Sequence, residues 1–204
     1  IRVTGSELVG LVPLKAMLDA GKYFLKKQER STGVSEAELI KIAVKSLGLD
    51  DLKPFNPKEK IIEYMLEDTA SSPLINMTLT DFADETASES PAPGGGSIAA
   101  YVGTLGVSLG TMVANLSSHK RGWDEKWEYY SNWAEKGQEY KNNLLKLVDE
   151  DTNSFNAIMD AFRLPKDNEA QVEARKNAIQ EATKYATEVP LKMMETALAS
   201  MEVM

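Results

Sequence analysis

The first third of the chain carries apolar residues at helical spacing, separated by turn signals. Residues 2–13 are rich in β-branched side chains and are interrupted by glycine, which predicts a short strand leading into a turn. Four large apolar residues then share one face of a predicted helix over 14–27: Leu14, Met17, Leu18 and Leu25. This pattern is typical of a small packed subdomain.

Two further helices are predicted from their capping residues. Ser35 opens a capping box before a helix over 36–47, and Gly48 ends that helix. Asn56 is placed to cap a third helix over 57–66, whose first residue is a proline.

The pattern changes at residue 67. Residues 67–77 are polar and contain proline, which predicts a linker. A short helix with Thr80 as its cap is expected within 78–86. We therefore expect an end-piece of one domain over 1–66 and a second, helical domain over 78–204.

A helix without any charged side chain is predicted over 98–118. Its small residues recur on one face: Ala99, Gly103, Gly106, Gly110 and Ala114. Its large apolar residues occupy the opposite face: Val102, Leu105, Leu109, Met112 and Leu116. A smooth face predicts close approach of another helix or of a flat ligand. The length suits a membrane span, but the helix also carries hydroxyl and amide side chains, so we predict a helix enclosed in protein and no membrane span.

Two prolines and three consecutive glycines precede this helix, within 90–97. Ser97 is expected to cap the helix. Backbone N–H groups at a helix N-terminus attract anions, because the helix dipole and the unpaired donors point the same way. The stretch is therefore either an ordinary loop or a site for an anionic group built from Gly94, Gly95, Gly96 and Ser97.

The following long helix, over 124–162, contains one carboxylate in an apolar seam. The seam residues are spaced by four and three positions: Leu144, Val148, Asp151, Phe155, Ile158 and Phe162. Asp149 and Glu150 are predicted to face water. Burial raises the pKa of a carboxyl group, which suits a general acid or base near neutral pH. The alternative is a hydrogen-bonded, purely structural aspartate.

Composition and charge exclude several functional classes. The net charge of −8 argues against a general nucleic-acid binder. The absence of cysteine removes disulfides and thiolate chemistry and is compatible with the cytoplasm. A single histidine leaves little to build a multi-histidine metal site, so no metal is expected. No signal peptide is expected, and both ends look like cuts in a longer chain.

Three residues after the uncharged helix complete the list of candidates. Lys120 and Arg121 either stabilise the helix C-terminus or form a basic patch for a polyanionic tail. His119 is interpreted as a solvated loop residue rather than a catalyst.

Five motifs together resemble the formimidoyltetrahydrofolate cyclodeaminase domain over 78–204. They are Ser90-Pro91-Ala92-Pro93-Gly94-Gly95-Gly96-Ser97, Gly106 to Asn115, Leu147-Val148-Asp149-Glu150-Asp151, Phe162-Arg163-Leu164-Pro165 and Val189-Pro190-Leu191. The stretch from Val3 to Tyr64 resembles the C-terminal end of glutamate formimidoyltransferase. The chain is thus similar to the join in the bifunctional formimidoyltransferase-cyclodeaminase family.

The resemblance implies a mainly α fold, in which the end-piece of an α+β transferase subdomain precedes a helical cyclodeaminase domain. It implies an ammonia-lyase of histidine degradation that converts 5-formimidoyltetrahydrofolate to 5,10-methenyltetrahydrofolate, with tetrahydrofolate as the one-carbon carrier and no metal. The family's proton donor falls on Asp151. The loop of Gly94, Gly95, Gly96 and Ser97 is expected to bind the folate. Lys120 and Arg121 are expected to meet its polyglutamate tail.

The resemblance also implies a homo-oligomer formed through helix faces. The transferase catalytic histidine belongs to a portion absent here, and the cyclodeaminase part lacks its final helices, so the truncated chain is expected to have reduced or no activity. Two alternatives stay open: a methenyltetrahydrofolate cyclohydrolase, and a helical assembly module without catalytic activity.

Overall fold

The computed structural model describes residues 6–66 and 73–204. Within these residues the chain is mainly α, as predicted. The α-helices are α1 (Leu14–Lys27), α2 (Glu36–Leu47), α3 (Pro57–Lys60), α4 (Ile62–Leu66), α5 (Leu79–Thr86), α6 (Gly95–Ser118), α7 (Trp127–Arg163) and α8 (Glu169–Ser200). The described residues divide into two compact units, one made of 6–66, 109–138 and 203, the other of 73–108, 139–202 and 204.

In the first unit α1 packs against α2. The predicted N-terminal caps Ser35 and Asn56 and the predicted helix end at Gly48 are confirmed. The Ser35 hydroxyl accepts a hydrogen bond from the Glu38 amide, and Gly48 ends α2 in the left-handed conformation with φ 66°. Asn56 accepts a hydrogen bond from the Lys58 amide. The core of this unit is formed by Met17, Ile40, Ala43, Val44 and Ile61.

The predicted third helix is interrupted, so the single helix expected over 57–66 is wrong. Ile61 is extended, with φ −95° and ψ 123°, and separates α3 from α4. It pairs with Val12 in an isolated parallel β-bridge, in which the Val12 amide donates to the Lys60 carbonyl at 2.9 Å. Burial of Ile61 in the core outweighs helix continuation. The strand that was predicted within residues 2–13 is reduced to the bridge at Val12. Residues 2–5 of that prediction lie outside the described part of the chain.

In the second unit α6, α7 and α8 pack together. A Cβ at Gly103 of α6 would contact the Leu144 side chain of α7 at 3.4 Å and the Ala197 side chain of α8 at 3.9 Å. These are ordinary van der Waals distances, so the three helices meet at Gly103 with room for a methyl group. The buried apolar side chains of this unit are Leu74, Ala100, Val107, Leu144, Leu147, Val148, Ala161, Val189 and Met193.

The buried line of α6 differs from the predicted small-residue face by about one position. It consists of Ser97, Ala100, Thr104, Val107, Thr111, Ala114 and Ser118. Thr104 donates its hydroxyl hydrogen bond to the Ala100 carbonyl within the helix, so its side chain packs like a small apolar residue.

The expectation that α6 is enclosed in protein is wrong for this chain. Its large apolar residues are exposed on the opposite face, from 50% at Leu105 and Met112 to 66% at Leu116. Among the described residues α6 alone has the length and hydropathy of a membrane span, a test that the core helices of soluble proteins also pass. The prediction that it does not cross a membrane stays a prediction.

The short helix α5 is confirmed, but its cap is not Thr80. The Thr78 hydroxyl accepts a hydrogen bond from the Asp81 amide, so α5 begins at Leu79. Much of the predicted linker, residues 67–72, lies outside the described residues.

Candidate active site

Asp151 of α7 caps the N-terminus of α6. Its Oδ2 accepts a hydrogen bond from the Ser97 backbone amide at 2.9 Å and another from the Ser97 hydroxyl at 3.1 Å. The Ser97 hydroxyl also lies 3.2 Å from the Thr152 hydroxyl. Because α6 begins at Gly95, Ser97 lies inside its first turn, and the prediction that Ser97 itself is the cap is wrong. One of the N-terminal donors that were expected to hold an anion, the Ser97 amide, is thus engaged by a carboxylate of the chain itself.

The glycine run permits this contact at one position. A Cβ at Gly96 would lie 2.5 Å from the Asp151 carboxyl carbon and 2.6 Å from Oδ2, so any larger residue displaces the carboxylate. A Cβ at Gly94 or Gly95 would meet no atom within 4 Å. Of the three glycines, Gly96 is therefore the one that the position of Asp151 requires.

Asp151 also borders a cavity of about 300 Å³. The lining residues are Pro91, Ala92, Gly94, Asp151, Thr152, Ser154, Phe155 and Ala186. Both hydrogen bonds from Ser97 go to Oδ2, and no described residue donates a hydrogen bond to Oδ1. A carboxyl group that is fixed by one oxygen at the wall of a cavity can exchange a proton through the other oxygen.

The predicted orientation of Asp149 toward water is wrong. Asp149 is 4% exposed, and it accepts hydrogen bonds from the Leu74 amide at 2.8 Å and the Ile75 amide at 3.3 Å. Asp151, by contrast, is only half-buried, and Phe155 in the predicted seam is 40% exposed. Helical periodicity did not predict the burial of Asp149, because the residues that cover it, Leu74 and Ile75, are distant in sequence from α7.

The remaining predicted residues belong to the first unit. Lys120 lies over the Trp123 ring at 4.1 Å from its centroid, and Arg121 is exposed. His119 is exposed, as interpreted, and lines a separate cavity. Within the described part of the chain, no group of three His, Asp or Glu side chains is arranged to hold a metal ion.

Sequence reasoning did not select Thr152 or Asp149 as parts of this region. Asp149 lies two residues before Asp151 within the acidic motif 147–151, and Thr152 directly follows Asp151. The motif identified the segment, but the partner of each side chain depends on α6 and on residues 74–75.

Comparison with family models gives two matches. Residues 78–204 match the model described as formiminotransferase-cyclodeaminase, and residues 1–67 match the formiminotransferase domain. The formimidoyltransferase-cyclodeaminase of Mus musculus is 40% identical over 195 residues, which cover 95% of this chain and 36% of that protein. The chain thus spans about a third of the length of this relative.

Two further relatives match part of this chain. The methenyltetrahydrofolate cyclohydrolase of Methylorubrum extorquens is 39% identical over 116 residues, covering 57% of this chain and 56% of that protein. The crystal structure of formiminotetrahydrofolate cyclodeaminase from Thermotoga maritima is 28% identical, with a TM-score of 0.50 over 59% of this chain and 56% of that one.

Proposed function

The chain belongs to the formiminotransferase-cyclodeaminase family, and from this premise we propose that it carries the cyclodeaminase reaction centre, with Asp151 as the proton donor. The substrate is 5-formimidoyltetrahydrofolate, and the products are 5,10-methenyltetrahydrofolate and ammonia. The observation that carries the proposal is the anchoring of Asp151 Oδ2 by Ser97 at the wall of the 300 Å³ cavity.

The reaction needs one proton at a defined step. N10 of the folate adds to the formimidoyl carbon, and its proton passes to the imine nitrogen, which becomes an amine. Asp151 then donates a proton to that amine, the carbon–nitrogen bond breaks, and ammonia leaves. Asp151 recovers its proton from solvent. A positioned acid accelerates such a step by about 10²–10⁴.

The loop before α6 supports the folate part of the proposal. Gly94 lines the same cavity as Asp151, and no atom lies within 4 Å of a Cβ built there or at Gly95, so a flat ring can approach the backbone. We propose that Lys120 and Arg121, two neighbouring cations, interact with the carboxylates of the polyglutamate tail.

The test compares Asp151→Asn with Asp167→Asn in assays of ammonia release from 5-formimidoyltetrahydrofolate. Asp167 is exposed and forms no ion pair with a described residue, so its amide variant controls for loss of a surface charge. We expect a loss of about 10²–10⁴ in rate for Asp151→Asn and none for the control. A loss below about tenfold excludes Asp151 as the proton donor.

A cyclohydrolase is the second candidate, and the Methylorubrum extorquens relative favours it. In that reaction water adds to the methenyl carbon instead of ammonia leaving from it. Hydrolysis of 5,10-methenyltetrahydrofolate, measured with the same variants, separates the two. If the chain catalyses neither reaction and equilibrium dialysis detects no folate binding, the assembly-module alternative holds.

The exposed apolar face of α6 supports the proposal of a homo-oligomer. Val102 to Leu116 form an uncharged strip about 21 Å long, at 1.5 Å per residue, on a chain whose net charge is −8. A second copy presents the same uncharged strip, so two copies can cover each other's exposed apolar residues. Light scattering after size exclusion is expected to give a dimer or larger, and Leu105→Glu a monomer. A monomeric parent chain contradicts this interface.

We further propose a cytoplasmic location, which the lack of cysteine suits. We also propose that residues 1–66 are the end of a formiminotransferase domain, which the match of residues 1–67 to that family model supports.

A further inference from the structure

A second cavity, of about 360 Å³, lies within the first unit and plays no part in the reaction proposed above. The end of α1, the loop that follows it and one face of α2 form its wall, and His119 closes one side. Arg30, Lys45 and Glu38 are its charged residues, while Leu25 and Ile42 supply apolar surface. This volume lies at the lower end of the roughly 300–1,000 Å³ that is typical of small-ligand pockets.

The charges around this cavity are not balanced. Neither Arg30 nor Lys45 forms an ion pair with a carboxylate of the described residues, whereas Glu38 lies 3.4 Å from Lys41. An arginine presents a planar set of donors that matches a carboxylate or a phosphate group.

The pKa of His119 is affected by its place at this cavity and by the charge of Arg30. Burial lowers the pKa of His119 below its usual 6.5, and the positive charge of Arg30 lowers it further. The two groups thus repel each other when the imidazole is protonated. An anion placed near both relieves this repulsion and attracts the imidazolium form.

We propose that this cavity is a binding site for a small anion that carries a carboxylate or a phosphate group, held by Arg30, Lys45 and His119. The imidazole supplies an N–H donor in either protonation state, and the guanidinium and ammonium groups supply charge. The site shares no residue with the chemistry assigned to Asp151, so the two assignments stand or fall separately.

The single histidine of the chain makes the test direct, because every imidazole NMR signal belongs to His119. The pKa of His119 is measured in sodium chloride, inorganic phosphate, citrate and L-glutamate at constant ionic strength. We expect a saturable rise of about one unit with phosphate, with the carboxylates, or with both. A rise with phosphate alone assigns a phosphate ligand, and a rise with citrate or glutamate alone assigns a carboxylate.

Variants connect the response to the cavity. Arg30→Gln should raise the pKa of His119 without added anion and abolish the anion-dependent rise. Lys45→Gln should weaken the rise and serves as a second test if Arg30→Gln does not fold. Lys27→Gln, an exposed position that does not line the cavity, should behave like the parent chain.

Two results overturn the proposal. One is a pKa of His119 that is the same in all four salts. The other is an anion-dependent rise that persists in both Arg30→Gln and Lys45→Gln.

Discussion

Gly96→Ala puts a methyl group into the space that the Asp151 carboxylate occupies. The added Cβ would lie 2.5 Å from the carboxyl carbon and 2.6 Å from Oδ2, and real Cβ atoms essentially never approach below 3.0 Å. The Asp151 side chain must move away, which breaks the two hydrogen bonds that Ser97 donates to Oδ2.

The expected cost follows from these two bonds. Each hydrogen bond to a charged group contributes about 1.5–3 kcal/mol, which sets an upper figure of about 3–6 kcal/mol. Solvation of the released carboxylate offsets part of this loss. Alanine also favours a helix over glycine by about 0.5–1 kcal/mol. We expect the free energy of unfolding to fall by about 2–3 kcal/mol, which lowers the Tm by about 4–12 °C for a chain of this size.

The assay is urea unfolding followed by circular dichroism, with Gly95→Ala as the matched control. A Cβ at Gly95 meets no atom within 4 Å, so its substitution should change stability by less than about 0.5 kcal/mol. In an Asp151→Ala background the cost of Gly96→Ala should largely disappear, because the colliding carboxylate is gone. Equal unfolding midpoints for Gly96→Ala and Gly95→Ala would refute the reasoning.

Three further predictions use the same unfolding assay. Asp149→Ala leaves the buried Leu74 amide and the part-buried Ile75 amide without their acceptor and should cost about 2–3 kcal/mol, and a loss no larger than that of an exposed aspartate contradicts this. Gly33→Ala places a Cβ within 3.0 Å of Ala134, including its backbone, and should cost about 1–3 kcal/mol; unchanged stability argues against that close approach. Burial raises the pKa of Glu135. Hydrogen bonds from Lys22 and Thr32, together with the charges of Lys22 and Lys26, lower this pKa by more, so it lies below its usual 4.5. The unfolded chain therefore binds more protons, so stability should fall as the pH drops through about 4.5, less steeply in Lys22→Gln.

The helix boundaries that depend on neighbouring residues could be predicted. Ser35, Gly48 and Asn56 each act within four residues of the backbone groups that they cap or end, so their roles are visible in the sequence. The prediction failed where the partner is remote. Ile61 leaves the helical conformation to pair with the distant Val12. The error at α5 was local instead, because Thr78 and Thr80 carry the same capping signal and the sequence alone did not decide between them.

The candidate site divides in the same way. Apolar periodicity drew attention to Asp151, and the glycine run marked a close approach, but nothing local indicated that one required the other. The hydrogen bonds between Ser97 and Asp151 join residues 54 positions apart. For Asp149 the periodicity was misleading. It predicted that this side chain faces water, whereas the distant segment at Leu74 and Ile75 covers it and donates two hydrogen bonds to it.

The sequence by itself determined the mainly helical character of the chain, most helix starts and the two elements that carry the candidate site, because caps, breakers and periodicity act over one or two helical turns. Only the tertiary structure decided that the N-terminus of α6 receives the Asp151 carboxylate, that Gly96 is the glycine that must stay small, and that the large apolar face of α6 is exposed. Those outcomes depend on steric contact and burial between segments that are distant in sequence, and no local pattern encodes these contacts.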